Sequence, residues 1–150
     1  MESLSSRQNW MSVLAHSQPD DLLAHWQPLN LHPRYQVIRA PEIGLNQLQA
    51  RMGGTGRRFI LGDMTITRAV VKLVESDDIY GYSYIAGRNK PHAEHCALLD
   101  ALLQQKGLGE LLQKSVIIPL AALQQERRQL RACAIASSKV DFFTLVRGED

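Results

Sequence analysis

The middle of the chain, from Tyr35 to Ala86, consists of short segments of extended character joined by connections of only a few residues. Leu48, Ala50 and Met52 alternate with polar residues, which is the period of two of a half-buried strand. Parallel strands need crossover connections of a dozen or more residues. We therefore expect an antiparallel meander of four to five strands and not a Rossmann-type sheet.

Glycine and aspartate residues mark the expected turns between these strands. Residues 53–56, 62–63 and 76–78 each carry such a turn signal. The strands expected between them are 37–38, 47–52, 58–61, 65–74 and 79–86.

Helical patterns lie on both sides of this region. Residues 5–15 and a short segment stopped by Pro28 predict two N-terminal helices. Pro91 suits the first turn of a third helix, and Pro119 opens a last helix that reaches about residue 136. Helices grouped at the ends of an antiparallel sheet indicate an α+β fold. The expected inward residues are Cys96, Leu99 and Leu103 in the third helix and Leu123, Leu130 and Ala134 in the last.

Length and charge narrow the class of protein. We expect 150 residues to form one domain spanning the whole chain. A net charge of +2 is too weak to argue for nucleic-acid binding, for which a concentrated basic face is expected. No apolar run approaches the ~20 residues that span a bilayer, and the first nine residues lack the apolar run of a signal peptide. We expect a soluble cytoplasmic protein with reduced thiols and no membrane partner.

The sequence His-Ala-Glu-His-Cys at residues 92–96 could bind a metal. On a helix, His92, His95 and Cys96 lie at i, i+3 and i+4, so all three could face one zinc ion. His-Ala-Glu also opens the zinc deaminase signature, in which Glu94 would move protons, but the downstream Pro-Cys-x-x-Cys is missing. Packing is therefore the favoured interpretation, and a stand-alone zinc-dependent hydrolase or deaminase is the alternative.

A glycine-rich turn beside an arginine is a candidate anion site. The backbone N–H groups of Gly53, Gly54, Thr55 and Gly56 could form a nest for a phosphate, with Arg57 adding charge. The turn lacks the Gly-Lys-Ser/Thr of a P-loop. A plain hairpin connection remains the other interpretation.

Two apolar features indicate contacts with other elements or chains. Tyr80, Tyr82 and Tyr84 share one face of a strand, which suits burial against a helix or a partner better than base stacking. The apolar run 142–146 near the C-terminus also needs a neighbour. No Ser/His/Asp or Cys/His triad is visible from spacing.

Five stretches together resemble the PhnG family of the bacterial carbon–phosphorus lyase system. They are NWMSVLAH (9–16), QARMGGTG (49–56), GDMTITRA (62–69), GRNKPHAE (87–94) with CA (96–97), and SKVDFFTLVRG (138–148). They cover almost the whole chain in the order of the family.

The resemblance implies an accessory, non-catalytic subunit of a core complex with H-, I- and J-type subunits, each in two copies. In that system the I-type subunit displaces adenine from Mg-ATP. With the G and H subunits and an L-type ATP-binding-cassette protein it forms a ribose 1-(alkylphosphonate) 5-triphosphate. A radical iron–sulfur subunit, J, then breaks the carbon–phosphorus bond.

The resemblance also shapes the expected sites. We expect no cofactor in this chain, because Cys96 and Cys133 alone cannot hold an iron–sulfur cluster. The glycine turn is expected to touch substrate only inside the complex. The predicted partner interface is in the C-terminal tail: Asp141, Phe142, Phe143, Leu145 and Arg147.

Overall fold

The computed structural model describes residues 2–75 and 78–138, with side-chain surroundings from residue 6 onward. The helices are α1 (Glu2–Ala15), α2 (Pro19–Trp26), α3 (Lys90–Leu103), α4 (Leu108–Leu112) and α5 (Ile118–Ser137), and the strands are β1 (Tyr35–Arg51), β2 (Arg58–Leu73) and β3 (Tyr80–Ala86). A π-helical turn, Gln113–Ile117, joins α4 to α5. These elements confirm the predicted α+β fold, with helices before and after the sheet in the sequence. None of the described helices is both long and apolar enough to cross a bilayer.

The three strands form one antiparallel sheet in the order β1–β2–β3. β1 and β2 pair along their whole length, from Tyr35 opposite Leu73 to Arg51 opposite Arg58. β3 pairs only with the second half of β2. The predicted meander is therefore present, but the described residues contain three strands, not four to five.

The strand count differs because two long strands continue through positions where the sequence predicted turns. Gly62 lies inside β2, and Leu48 pairs with it whereas Gln49 pairs with Ile60. One residue of β2 is left unpaired there, which is a β-bulge and not a turn. The predicted segments therefore merge: 37–38 and 47–51 belong to β1, and 58–61 and 65–73 belong to β2, whereas Met52 lies in the turn and Val74 follows β2.

Helix α3 packs across one face of the sheet and forms the centre of the core. From Thr67 onward the buried residues of β2 alternate, as the pleat requires: Thr67, Ala69, Val71 and Leu73. The stripe predicted for α3 is confirmed, because Cys96, Leu99 and Leu103 are all buried. The approach is close at Gly81 of β3, where an added Cβ would lie 1.9 Å from the carbonyl oxygen of Ala97.

A buried carboxylate joins three elements. Asp100 of α3 has no exposed surface. Its oxygens accept hydrogen bonds from Arg7 Nη2 (2.7 Å) and Nε (3.2 Å), from Trp10 Nε1 (2.9 Å), and from the backbone N–H of Tyr82 (3.0 Å). Burial of a charge is tolerated when it is paired and hydrogen-bonded in this way. Asp100 thus fixes α1 and β3 against α3.

Among the described residues, helix α5 packs against the rest of the protein through its first half. Leu120 is buried, and Gln124 Nε2 donates to the carbonyl of Val13. All residues from 125 to 138 are exposed. The prediction that Leu130 and Ala134 face inward is wrong, because this half of the helix has no described element to pack against.

Candidate functional site

The outer halves of β1 and β2 form a two-stranded ribbon that no described helix covers. We call residues 45–63 the hairpin arm. Every residue in it is exposed except Ala50 and Gly56, which are half-buried. Among the exposed residues are six large apolar ones: Leu45, Leu48, Met52, Phe59, Ile60 and Leu61. An uncovered apolar surface of this kind marks an interaction site more often than a free surface.

The two faces of the hairpin arm both carry apolar side chains. Ala50 lies opposite Phe59, and Leu48 is two residues before Ala50, so these three share a face. Leu45, at odd spacing from Leu48, lies on the other face and is 71% exposed. Neither face of the arm is therefore purely polar, in contrast to a sheet with one buried and one solvent-facing side.

The glycine turn forms the tip of the hairpin arm. Gly53 and Gly54 have φ values of 56° and 82°, which favour glycine over other residues. The turn is closed by a hydrogen bond from the N–H of Gly56 to the carbonyl of Met52 (2.8 Å). The structure thus brings Gly53, Gly54, Thr55, Gly56 and Arg57 together at one exposed point, as the hairpin interpretation predicted.

Three arginines surround this tip. Arg51 and Arg58 lie opposite each other at the end of the ribbon, and Arg57 belongs to the turn. All three are exposed. Ion pairs occur near the base of the arm, where Glu42 contacts Arg39 and Arg68, but within residues 2–75 and 78–138 none involves the tip arginines. The tip is a cationic surface available to an anion or a carboxylate.

The tyrosine face of β3 lies on the side of the sheet opposite α3. Gly81, Ser83 and Ile85 are buried toward the helix, whereas Tyr82 and Tyr84 are exposed. The guanidinium of Arg7 lies 5.8 Å from the ring centre of Tyr82. The shared face is confirmed, and Tyr82 and Tyr84 remain exposed although Arg7 of α1 lies against one of the rings.

His92 and Cys96 are part of the packing between α3 and the α1–α2 connection. His92 Nε2 lies 3.1 Å from the carbonyl oxygen of Ser17 and 3.7 Å from Cys96 Sγ. Burial lowers the pKa of His92, although the hydrogen bond to Ser17 opposes this shift. Burial raises the pKa of Cys96 to about 12, so the sulfur stays a thiol at neutral pH. Nucleophilic attack requires the thiolate.

His95 and Glu94 point elsewhere. Both line a separate hollow with Tyr35, and the Tyr35 hydroxyl donates to Glu94 Oε1 at 2.7 Å. That hydrogen bond raises the pKa of Tyr35 to about 12. Three His, Cys, Asp or Glu side chains placed to hold a metal occur nowhere in the described part of the chain. The set His92, His95 and Cys96 does not converge, because His92 and Cys96 face the core while His95 does not.

Sequence reasoning missed Asp100 and a groove between α1 and β3. The groove has a volume of about 340 Å³ and is lined by Met11, Leu14, Tyr82 and Cys96, among others. The buried Ser83 hydroxyl also lines it and has no hydrogen-bond partner within the described ranges. Both features depend on contacts between residues far apart in the sequence, so no local sequence pattern predicts them.

The predicted tail interface lies outside the described residues. It comprises Asp141, Phe142, Phe143, Leu145 and Arg147, and the structure describes the chain only as far as residue 138.

These surfaces define a class of protein. Within the described residues, a small α+β body carries an apolar arm and an aromatic sheet face that no described helix covers, while Cys96 is buried. Such exposed apolar surfaces are typical of proteins that bind other chains. The model of the family described as phosphonate metabolism protein PhnG matches residues 5–148. The chain belongs to this family, as its sequence motifs indicated.

A named relative agrees with this assignment. The alpha-D-ribose 1-methylphosphonate 5-triphosphate synthase subunit PhnG of Rhizobium meliloti (strain 1021) is 34% identical over 150 residues. The match covers 98% of this chain and 92% of the relative.

Proposed function

We propose that this chain is an accessory subunit of a ribose 1-(alkylphosphonate) 5-triphosphate synthase, which joins Mg-ATP and an alkylphosphonate with release of adenine. The near full-length match to a relative named as a subunit of such a synthase carries the proposal. The structure supports an accessory role, because His92 and Cys96 are packed inward and Glu94 is held by Tyr35.

The proposed partners are the H-, I- and J-type subunits of a carbon–phosphorus lyase core complex, with two copies of each subunit, and functionally an L-type ATP-binding-cassette protein. The complex would be cytoplasmic and would include neither nucleic acid nor membrane. The chain would contribute no cofactor of its own. Residues Asp141, Phe142, Phe143, Leu145 and Arg147 remain a proposed part of the interface, and truncation after residue 140 tests them by co-purification.

Reconstitution of the synthase tests the proposal directly. The other subunits are purified with and without this chain, and adenine release from Mg-ATP is measured with methylphosphonate and the L-type protein present. We expect activity only when the chain is present, and none from the chain alone. Full activity without the chain would refute the proposal. Adenine release by the chain alone would refute its accessory role.

The arm tip is a second part of the proposal. Gly53 and Gly54 are exposed in the same turn as Arg57, and their N–H groups suit contact with the triphosphate or phosphonate inside the complex. We expect Arg57→Ala to raise the KM for ATP about tenfold with little loss of complex, since one charge-assisted hydrogen bond contributes ~1.5–3 kcal/mol. Arg34→Ala is the matched control, because Arg34 is exposed and lies at the opposite end of β1. Equal KM values for both variants would remove the tip from the substrate site.

A further inference from the structure

The hairpin arm is a two-stranded ribbon that lies outside the three-stranded part of the sheet. An isolated two-stranded ribbon is at best marginally stable in water. Here the ribbon extends from the three-stranded sheet by about 20 Å, taking ~3.3 Å per residue from residue 45 to residue 51. It has apolar side chains on both faces and no described helix against either. Such a ribbon is stabilised most when a partner encloses both of its apolar faces.

We infer that the strands of this arm, residues 45–51 and 58–63, dock into an apolar groove edged by carboxylates on a different subunit of the synthase. This inference rests on the proposed function and goes beyond it by naming the element that docks and the chemistry that receives it. The turn at the tip, with Arg57, is not part of this docking surface.

The composition of the arm strands fits the centre and rim of an interface. These strands comprise 13 residues (45–51 and 58–63), so they would supply part of the roughly 20–30 residues that a stable interface takes from each partner. Interface centres are rich in large apolar and aromatic side chains with charged residues at the rim. Leu45, Phe59, Ile60 and Leu61 supply the apolar part, and the two opposed arginines at the end of the strands supply the rim.

The positive charge of the arm favours a receiving surface on a different subunit over one on a second copy of this chain. Arg51 and Arg58 are exposed and form no ion pair with any described residue. The uncovered sheet face of this same protein carries Arg39, Arg68 and Lys72, with Glu42 as their acidic neighbour. A second copy would therefore offer a like-charged surface to the arm, and like charges suppress association. A groove edged by Asp and Glu complements it.

A pair of double variants tests the inference. Leu45→Asp with Leu61→Asp places charges on exposed apolar positions of the arm, which leaves the core intact. Leu111→Asp with Ile118→Asp makes the same change at exposed positions on α4 and α5. The intact chain and both variants are titrated against the assembled remaining subunits by biolayer interferometry, and their folding is checked by circular dichroism.

We expect the arm variant to stay folded and to bind at least a hundredfold more weakly, while the control binds within about threefold of the intact chain. A third variant joins Leu45 to Thr65 through Asn-Gly and so removes the arm without touching the core; it should also fold and fail to bind. Exchange of the rim charges, Arg51→Glu with Arg58→Glu, should weaken binding, and Arg34→Glu with Arg88→Glu should not.

The outcomes separate the two proposals. Equal binding by the intact chain and the arm variants would overturn the docking inference and leave the subunit assignment standing. Failure of the intact chain to bind would overturn both. A dimer of the isolated chain that the arm variant abolishes would overturn the inference in favour of a second copy as the occupant.

Discussion

His92 shows how one residue can resemble a functional group and act in packing. In sequence it begins a cluster with metal-ligand spacing. In the structure its ring is buried between α3 and the connection from α1 to α2, where Nε2 meets the carbonyl of Ser17. Spacing along a helix correctly placed Cys96 beside it, but could not show that the third candidate, His95, faces away.

The buried imidazole predicts a pH effect on stability. Burial lowers the pKa of His92 in the folded protein below its ordinary value of 6.5, so the unfolded chain binds a proton more readily. The contribution is fully present above about pH 6.5 and is lost as the pH falls through the folded pKa. We expect the free energy of unfolding, measured in urea, to fall between about pH 7 and pH 5. His92→Gln should flatten this dependence, whereas His32→Gln, at an exposed position, should preserve it. The same slope in both variants would contradict this assignment.

The packing of α3 on β3 depends on a missing side chain. At Gly81 an added Cβ would lie 1.9 Å from the carbonyl oxygen of Ala97 and 2.8 Å from the Cβ of Ala101. Both contacts belong to the helix that forms the core, so neither can move by a rotamer change. In the sequence this position is simply a glycine between two tyrosines, and nothing there indicates the close contact.

Replacement of that glycine tests the packing. We expect Gly81→Ala to lower the free energy of unfolding by about 3 kcal/mol, at the upper end of the usual range for overpacking. Gly44→Ala is the matched control, because an added Cβ there meets nothing within 4 Å. Urea unfolding monitored by tryptophan fluorescence measures both. A loss below about 1 kcal/mol for Gly81→Ala would mean that the helix shifts freely on the sheet.

Element types were predictable, whereas element lengths were not. The period of two at Leu48 and Ala50 and the helical stripe at Cys96 and Leu99 report local geometry, and both element types were confirmed. The strand is not half-buried as its pattern predicted, because Leu48 is exposed along with its polar neighbours. The turn predicted at Gly62 was wrong because glycine suits both a turn and a bulge, and only pairing with the neighbouring strand decides between them. Leu130 misled because a helical stripe shows which face is apolar and not whether anything lies against it.

At the scale of the whole molecule, the protein divides into a body tied together through Asp100 and an arm without a core. The candidate site was only partly visible in the sequence. The glycines and arginines of the tip stood out, but the exposure of Ile60 and Leu61 follows from the length of β1 and β2. That length depends on strand pairing that continues past α3, which the local sequence pattern does not determine.

This division predicts a pattern of proteolysis. In the isolated chain, trypsin should cut first after Arg51, Arg57 or Arg58, because exposed hairpin tips are preferred cleavage sites. Arg68, which is ion-paired to Glu42 within the three-stranded part, should resist. Mass spectrometry of early fragments measures the order. In the assembled complex, cleavage after Arg51 and Arg58 should slow at least tenfold; an unchanged rate there would indicate that the arm stays in solvent.

The uncovered arm also bears on how much of this protein a cell can hold. A copy made without its partners would present a β-ribbon with apolar residues on both faces, which is a template for pairing with any other unsatisfied strand. Such orphan copies would be removed by aggregation or by proteases that recognise exposed apolar segments. Its steady level would therefore follow the supply of the subunits that receive the arm, and overproduction of the chain alone would yield precipitate more readily than free protein.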